Sequence, residues 1–120
     1  MKLCVIGSRT ITDKDLIARK IDDVAPLVIL SGGAKGVDTI AKEYAYEKSI
    51  DFIEFLPYHL LDQRVEFSSK YFFVRNKQMI DNADMLLAFW DGESKGTQHG
   101  IKYAQKKNVP YVVIKVPKSS

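Results

Sequence analysis

LVILSGGAKGVDTIAKEYAYEK, residues 27–48, reads as a strand, a glycine loop and a helix in one pass. Leu27 to Leu30 is a continuous apolar run that stops at Ser31-Gly32-Gly33. Val37, Ile40, Ala41, Tyr44 and Ala45 then recur with the i, i+3, i+4, i+7, i+8 spacing of a buried helical stripe, predicting a helix from about Val37 to Lys48. An apolar run that does not alternate fits a strand covered on both faces, which is the habit of parallel sheets.

The same pairing repeats outward in both directions. Leu3 to Ile6 ends at Gly7, Phe52 to Leu56 (broken by Glu54) ends at Pro57, Met85 to Trp90 ends at Asp91-Gly92, and Tyr111 to Ile114 is the last run. Between them, Thr12 is placed to cap a helix whose Ile17, Ile21 and Val24 share a face, with Asp15 where a capping box puts Glu or Gln. A third helix is expected over Phe72 to Asn82. A fourth starts near Thr97 with Thr97, Gly100, Ile101 and Ala104 on a small face that must lie close to the sheet. Strand–helix alternation of this kind specifies a single-domain, three-layer α/β fold with right-handed crossovers and a parallel sheet of about five strands. The domain is expected over residues 1–116, with 117–120 as a frayed tail. The one long connection, Pro57 to Ser69, has the length of a functional loop or flap.

A chain of 120 residues suits one domain, and one cysteine, Cys4, argues against a disulfide-stapled scaffold. No apolar run reaches the roughly 18 residues of a membrane span, and the N-terminus lacks the apolar stretch of a signal peptide. These features imply a soluble cytoplasmic protein with no membrane partner. A net charge of +3 permits anionic ligands but is well short of a nucleic-acid-binding signature and comes without a clustered basic stripe, so nucleic acid is the third-ranked partner.

Ligands of open parallel sheets bind beyond the carboxyl ends of the strands. Three loops there carry chemistry. Gly7-Ser8-Arg9-Thr10 offers close backbone approach, a hydroxyl and a planar guanidinium for phosphate or carboxylate; an ordinary turn with a solvated arginine is the competing reading. Ser31 to Asp38 places three glycines ahead of a helix, where backbone N–H groups and the helix dipole favour an anion. Its spacing matches neither a P-loop nor the Gly-x-Gly-x-x-Gly of dinucleotide folds. Asp38 either complements the dipole or bonds a ligand hydroxyl. Asp91-Gly92-Glu93-Ser94-Lys95-Gly96-Thr97 again enters a helix and supplies two more carboxylates. Arg75-Asn76, after Tyr71, Phe72 and Phe73, can reach the same end of the sheet. Cys4 reads as a small buried hydrophobe. His59 and His99 stand apart from any ligand cluster, so no metal is expected, and His99 reads as a surface helical histidine.

The ordered set resembles the SLOG superfamily, which joins the Smf/DprA DNA-processing proteins and the LOG phosphoribohydrolases. The resemblance rests on Val5-Ile6-Gly7-Ser8-Arg9, Ser31 to Asp38, Arg75-Asn76-Lys77-Gln78-Met79, Ala83-Asp84, Ala88-Phe89-Trp90-Asp91-Gly92, Ser94, Gly96-Thr97 and Ile101. It is strongest to small stand-alone YpsA-related members of bacterial or phage origin. The resemblance implies a Rossmann-like fold that binds a nucleotide or nucleotide-derived ligand, with no added cofactor, and a homo-oligomer. Gly7, Ser8 and Arg9 would line one side, and Gly32, Gly33, Gly36 and Asp38 the floor. Gly92, Ser94, Gly96 and Thr97 would hold a phosphate, and Arg75 would project inward. Asn76 and Asp91 join this ligand-binding set. The aromatic cluster Tyr71 to Phe73 and the Tyr58 to Phe67 loop are candidate contacts between copies.

One departure bears on activity. LOG enzymes resemble Pro-Gly-Gly-x-Gly-Thr-x-x-Glu at the fourth loop, and the glutamate serves cleavage of an N-glycosidic bond. Here Gly96-Thr97-Gln98-His99 is followed by Gly100. Cleavage through an oxocarbenium-like state wants a carboxylate nearby. The expectation is therefore a sensor or regulatory module. The alternative is a LOG-like phosphoribohydrolase using Arg75 with a displaced carboxylate, Asp38, Asp91 or Glu93.

Overall fold

Strand β1 (Lys2–Gly7) sits at the centre of the sheet because both its faces are apolar. Leu3 and Val5 point into one core cluster with Ile17, Ile21, Val37 and Ile40, whereas Cys4 and Ile6 point into a second with Met79, Ile80 and Ile101. Strand β4 (Met85–Trp90) divides the same way, Leu87 and Phe89 to the first cluster, Leu86 and Ala88 to the second. A period of two along strands buried on both sides yields two cores, hence three layers.

The computed structural model describes residues 1–62, 64, 66, 68 and 70–117, without the side chains of Tyr58 and His59. The remaining elements are α1 (Lys14–Val24), β2 (Val28–Ser31), α2 (Val37–Glu47), β3 (Asp51–Glu54), α3 (Tyr58–Leu61), α4 (Lys70–Asp81), α5 (Lys95–Lys106) and β5 (Tyr111–Lys115). The five strands are parallel in the order β3-β2-β1-β4-β5, with Cys4 opposite Leu30 and Gly7 opposite Phe89. Helices α1 and α2 cover one face, α4 and α5 the other. The expected Rossmann-like α/β fold with five parallel strands is what forms.

Local details depart from the sequence reading in three places. Helix α1 is capped by Asp13 rather than Thr12: the Asp13 carboxylate accepts from the Leu16 N–H at 3.1 Å, and aspartate is the stronger N-cap. The helix ends at Ala25, which takes a left-handed conformation before Pro26 and donates its N–H to the Ile21 carbonyl. Strand β3 stops at Glu54 instead of reaching Leu56, since its partner β2 ends at Ser31, opposite Glu54. The Pro57 to Ser69 connection opens with the four-residue helix α3; much of the rest, and residues 118–120 of the expected tail, lie outside the described residues. Among the described residues no helix is long and apolar enough to cross a membrane.

Candidate functional site

The strand order reverses at β1, so β2 leaves on one side and β4 on the other. The crevice that opens there, beyond the carboxyl ends of β1 and β4, is where a doubly wound sheet takes its ligands. A cleft of about 230 Å³ occupies that place. The end of β1 contributes Gly7 and Arg9, the entry to α2 contributes Ala34 and Asp38, and the entry to α5 contributes Ser94, Gly96 and Thr97. Helix α4 closes the remaining wall with Phe72, Phe73, Arg75 and Asn76.

Arg75 organises this wall. It is 7% exposed, unusual for a guanidinium. Its Nη1 donates to the Gly32 carbonyl at 2.6 Å and its Nε to the Asn76 carboxamide oxygen at 3.0 Å. Asn76 in turn donates toward the Gly96 carbonyl at 3.4 Å, tying α4 to the first turn of α5. Gly32 is required because a Cβ there would fall 2.3 Å from Nη1. Burial depresses the Arg75 pKa; the Asp38 charge opposes that shift and Arg9 adds to it. Asp38 is buried in the first turn of α2, where its carboxylate accepts from the Ala34 N–H at 3.1 Å. Burial raises its pKa, against the pull of that N–H and of Arg75. Arg9, at the mouth, is exposed and has no carboxylate partner among the described residues. The site is thus cationic, with one buried carboxylate, its pKa raised, at its floor.

Other expected site residues build the loops rather than the cleft wall. The Ser8 hydroxyl accepts from the Asp91 N–H at 3.1 Å and so clips the β1 loop to the β4 loop. Asp91 accepts from the Glu93 and Ser94 N–H groups, each at 2.8 Å, and from the Thr10 hydroxyl at 3.1 Å. This turn leaves neither Asp91 nor the exposed Glu93 lining the cleft. Gly36 caps α2 at φ 81°, with the Arg9 carbonyl 2.7 Å from where a Cβ would stand. Gly33 and Gly92 also have positive φ and lie outside the cleft wall. Gly7 admits the Val37 side chain, which a Cβ would overlap at 2.3 Å.

Ser94 caps α5, accepting from the Thr97 N–H at 3.4 Å. His99 departs from the expected surface histidine. Its ring lies against Phe73, centroids 4.5 Å apart, and its buried Nδ1 has no hydrogen-bond partner. Gly100 is buried under α5, where a Cβ would stand 2.6 Å from Ile6 Cδ1. The position that carries glutamate in LOG enzymes is here a helix–sheet packing contact. Cys4 is fully buried, as read from sequence, and burial pushes its thiol far up.

The Asp91 turn makes a pH prediction. Burial raises the Asp91 pKa, but the Ser94 and Glu93 N–H groups with the Thr10 and Ser8 hydroxyls outweigh it and hold the carboxyl below the usual range. A depressed pKa means the folded state favours the ionised form. The contribution is complete above the ordinary carboxylate value of about 4 and is lost as pH falls through the folded value. Asp91→Asn keeps an acceptor without the charge. Its urea midpoint should lie below wild type at pH 7, with the gap closing on acidification toward about pH 3. A gap that is constant with pH would remove the carboxylate from this role.

A 3-2-1-4-5 parallel sheet with a cleft at its reversal point defines a doubly wound, Rossmann-like α/β protein. The chain belongs to the YspA, cpYpsA-related SLOG family, whose model matches residues 1–59. It is 31% identical to the Gene 61 protein of Mycobacterium phage D29, over 92% of this chain and 94% of that one. Among solved structures it is similar to DNA processing protein A from Streptococcus pneumoniae, with a TM-score of 0.80 and 20% identity over 96% of this chain; it spans only half of that protein. It also resembles DNA processing protein A from Helicobacter pylori, whose single-stranded DNA binding mode that structure addresses. There the TM-score is 0.73 and the identity 27%, over all of this chain and 68% of the other.

Proposed function

We propose that the cleft binds a nucleotide or nucleotide-derived ligand and acts as a sensor or regulatory module. The observation that carries this reading is the convergence of Arg9, Arg75 and the N-terminus of α5 on one cleft. First-turn amides of a helix have no intrahelical partner and favour an anion, and two guanidinium groups reinforce that preference. The phosphate then sits by Ser94, Gly96 and Thr97, Arg9 closes over it from the mouth, and Phe72 or Phe73 offers a face to the base. Asp38 is the carboxylate within reach of a ribose hydroxyl. Mass spectrometry of small molecules released from freshly purified, denatured protein tests the reading. A single co-purifying phosphate-bearing nucleotide is the expected result.

A second reading is favoured by one observation: Asp38, alone among the three candidate carboxylates, lines the cleft, with its pKa raised. A carboxyl tuned upward beside an arginine suits proton transfer in N-glycosidic cleavage of a nucleoside monophosphate. Release of free base from AMP or IMP, abolished by Asp38→Asn, would establish turnover. Absence of base release leaves binding alone. Association of two copies through the α4 aromatics is a further proposal, which a monomeric mass in light scattering would refute.

A further inference from the structure

The charge of this protein is divided between its two helical layers. Helices α1 and α2 carry four cations and six carboxylates. Helices α4 and α5 with the Lys107 cap carry seven cations and one carboxylate, Asp81, which accepts from the Tyr103 hydroxyl at 2.7 Å. Helix α5 has no carboxylate at all. Its Lys95, Lys102 and Lys106 are spaced by seven and four residues, which places them within about 20° of one line along the helix. That line runs opposite the buried stripe of Thr97, Gly100, Ile101 and Ala104. On α4, Lys70 and Lys77 are likewise seven apart and lie opposite Met79. All five lysines are exposed, and the Lys14–Glu43, Lys42–Glu54 and Arg64–Asp62 ion pairs stand on other elements.

From this arrangement we infer that the outer face of α4 and α5 binds the phosphate backbone of a nucleic acid, at a surface separate from the cleft. At 1.5 Å per residue the α5 lysines are about 10 Å and 6 Å apart, and packed helices lie about 8–10 Å from each other, so the two rows form a cationic strip. Such a strip suits a polyanion better than a single phosphate. Stable attachment to a lipid surface draws also on large apolar residues that insert, and a protein partner on an apolar anchor. Among the described residues, the exposed large hydrophobics lie on other elements. Tyr103, the half-buried ring of this face, is flanked by the Lys77 and Lys107 ammonium groups at 5.6 and 5.7 Å. Ammonium groups contact phosphates without carrying sequence information, so binding is expected to be independent of sequence. This inference does not rest on the cleft reading.

The test is fluorescence anisotropy with a labelled mixed-sequence oligonucleotide of about 20 nucleotides, single-stranded and as its duplex, across salt concentration. Wild type is expected to bind at least one form. Neutralising about five phosphates should cost about a hundredfold in affinity between roughly 50 and 200 mM salt. Lys102→Glu/Lys106→Glu and Lys70→Glu/Lys95→Glu should each weaken binding at least about tenfold at low salt, whereas Arg19→Glu/Lys48→Glu on the opposite layer should change it less than about twofold. Lys70→Glu/Lys95→Glu guards against misfolding, because acidic residues at helix N-termini complement the dipole. Absence of binding by wild type, undiminished binding by both lysine variants, or loss of binding in Arg9→Ala with the lysine variants unaffected would overturn the proposal. So would co-sedimentation with phosphatidylcholine–phosphatidylserine vesicles without oligonucleotide binding.

Discussion

Arg75→Ala is expected to lower the unfolding free energy by about 3 kcal/mol and, on the proposed reading of the cleft, to remove binding of phosphate-bearing ligands. The stability loss has two sources. The Gly32 carbonyl loses a 2.6 Å charge-assisted donor in a buried setting, and Asp38 loses the cation that partly offsets its burial. An unmet buried acceptor and an uncompensated buried carboxyl each cost on the order of 1–3 kcal/mol, and protonation of Asp38 relieves part of the second. Arg75→Lys restores a charge but cannot serve Gly32 and Asn76 together, because an ammonium lacks the planar fork. Its loss should be about 2 kcal/mol. Urea denaturation of the three proteins checks the ranking. Wild-type stability in Arg75→Ala would mean the guanidinium is not an organising group.

Gly100→Glu, which restores the LOG-like glutamate on paper, should cost about 5 kcal/mol, enough to unfold a domain at the low end of the usual stability range. The Cβ alone would overlap Ile6 Cδ1 at 2.6 Å, and the rest of the side chain would have to displace the cluster of Cys4, Ile6, Met79 and Ile80. That is a large share of the 5–15 kcal/mol that holds a domain of this kind together. Gly96→Ala is the contrast. Nothing lies within 4 Å of its would-be Cβ, so the variant should fold as wild type does. Circular dichroism distinguishes the pair. A well-folded Gly100→Glu protein would show that α5 can lift off the sheet.

The fold was legible because its decisive strands are central. Leu3 to Ile6 and Met85 to Trp90 must be apolar on both faces, and the sequence there is an unbroken apolar run. The small stripe Thr97, Gly100, Ile101, Ala104 forecast the close approach of α5, and Gly100 meets Ile6 as that spacing requires. Edges were harder. Phe55 and Leu56 extend an apolar run past Glu54, the last residue in register with β2, although the Phe55 N–H still reaches the Ser31 carbonyl, and a four-residue helix such as α3 leaves no periodic trace.

The site was legible as a place more than as a set of roles. Gly7, Arg9, Asp38, Arg75, Asn76, Ser94, Gly96 and Thr97 do meet in one cleft. Spacing could not tell that Ser8 and Asp91 spend their oxygens on each other's loops, because that exchange spans 83 residues. Phe72 and Phe73, which the sequence offers as contacts between copies, form part of the cleft wall. The lysine rows on α4 and α5 run against the expectation of no clustered basic stripe, because residues seven and four apart align only on a helix. The i, i+7, i+11 spacing of Lys95, Lys102 and Lys106 was present throughout, and a helical projection finds it.

The most direct test of the cleft is a thermal-shift titration. AMP, ADP-ribose, NAD and a cyclic nucleotide would each be set beside its dephosphorylated counterpart, on wild type and on Arg9→Ala. At about 100 times the dissociation constant a ligand adds about 2.7 kcal/mol, on the order of 10 °C for a domain of this size. The account predicts that at least one phosphate-bearing member raises the midpoint by that order, that its dephosphorylated counterpart does not, and that Arg9→Ala loses most of the shift. Equal stabilisation by the dephosphorylated partner, or no shift from any member, would contradict a phosphate-binding cleft.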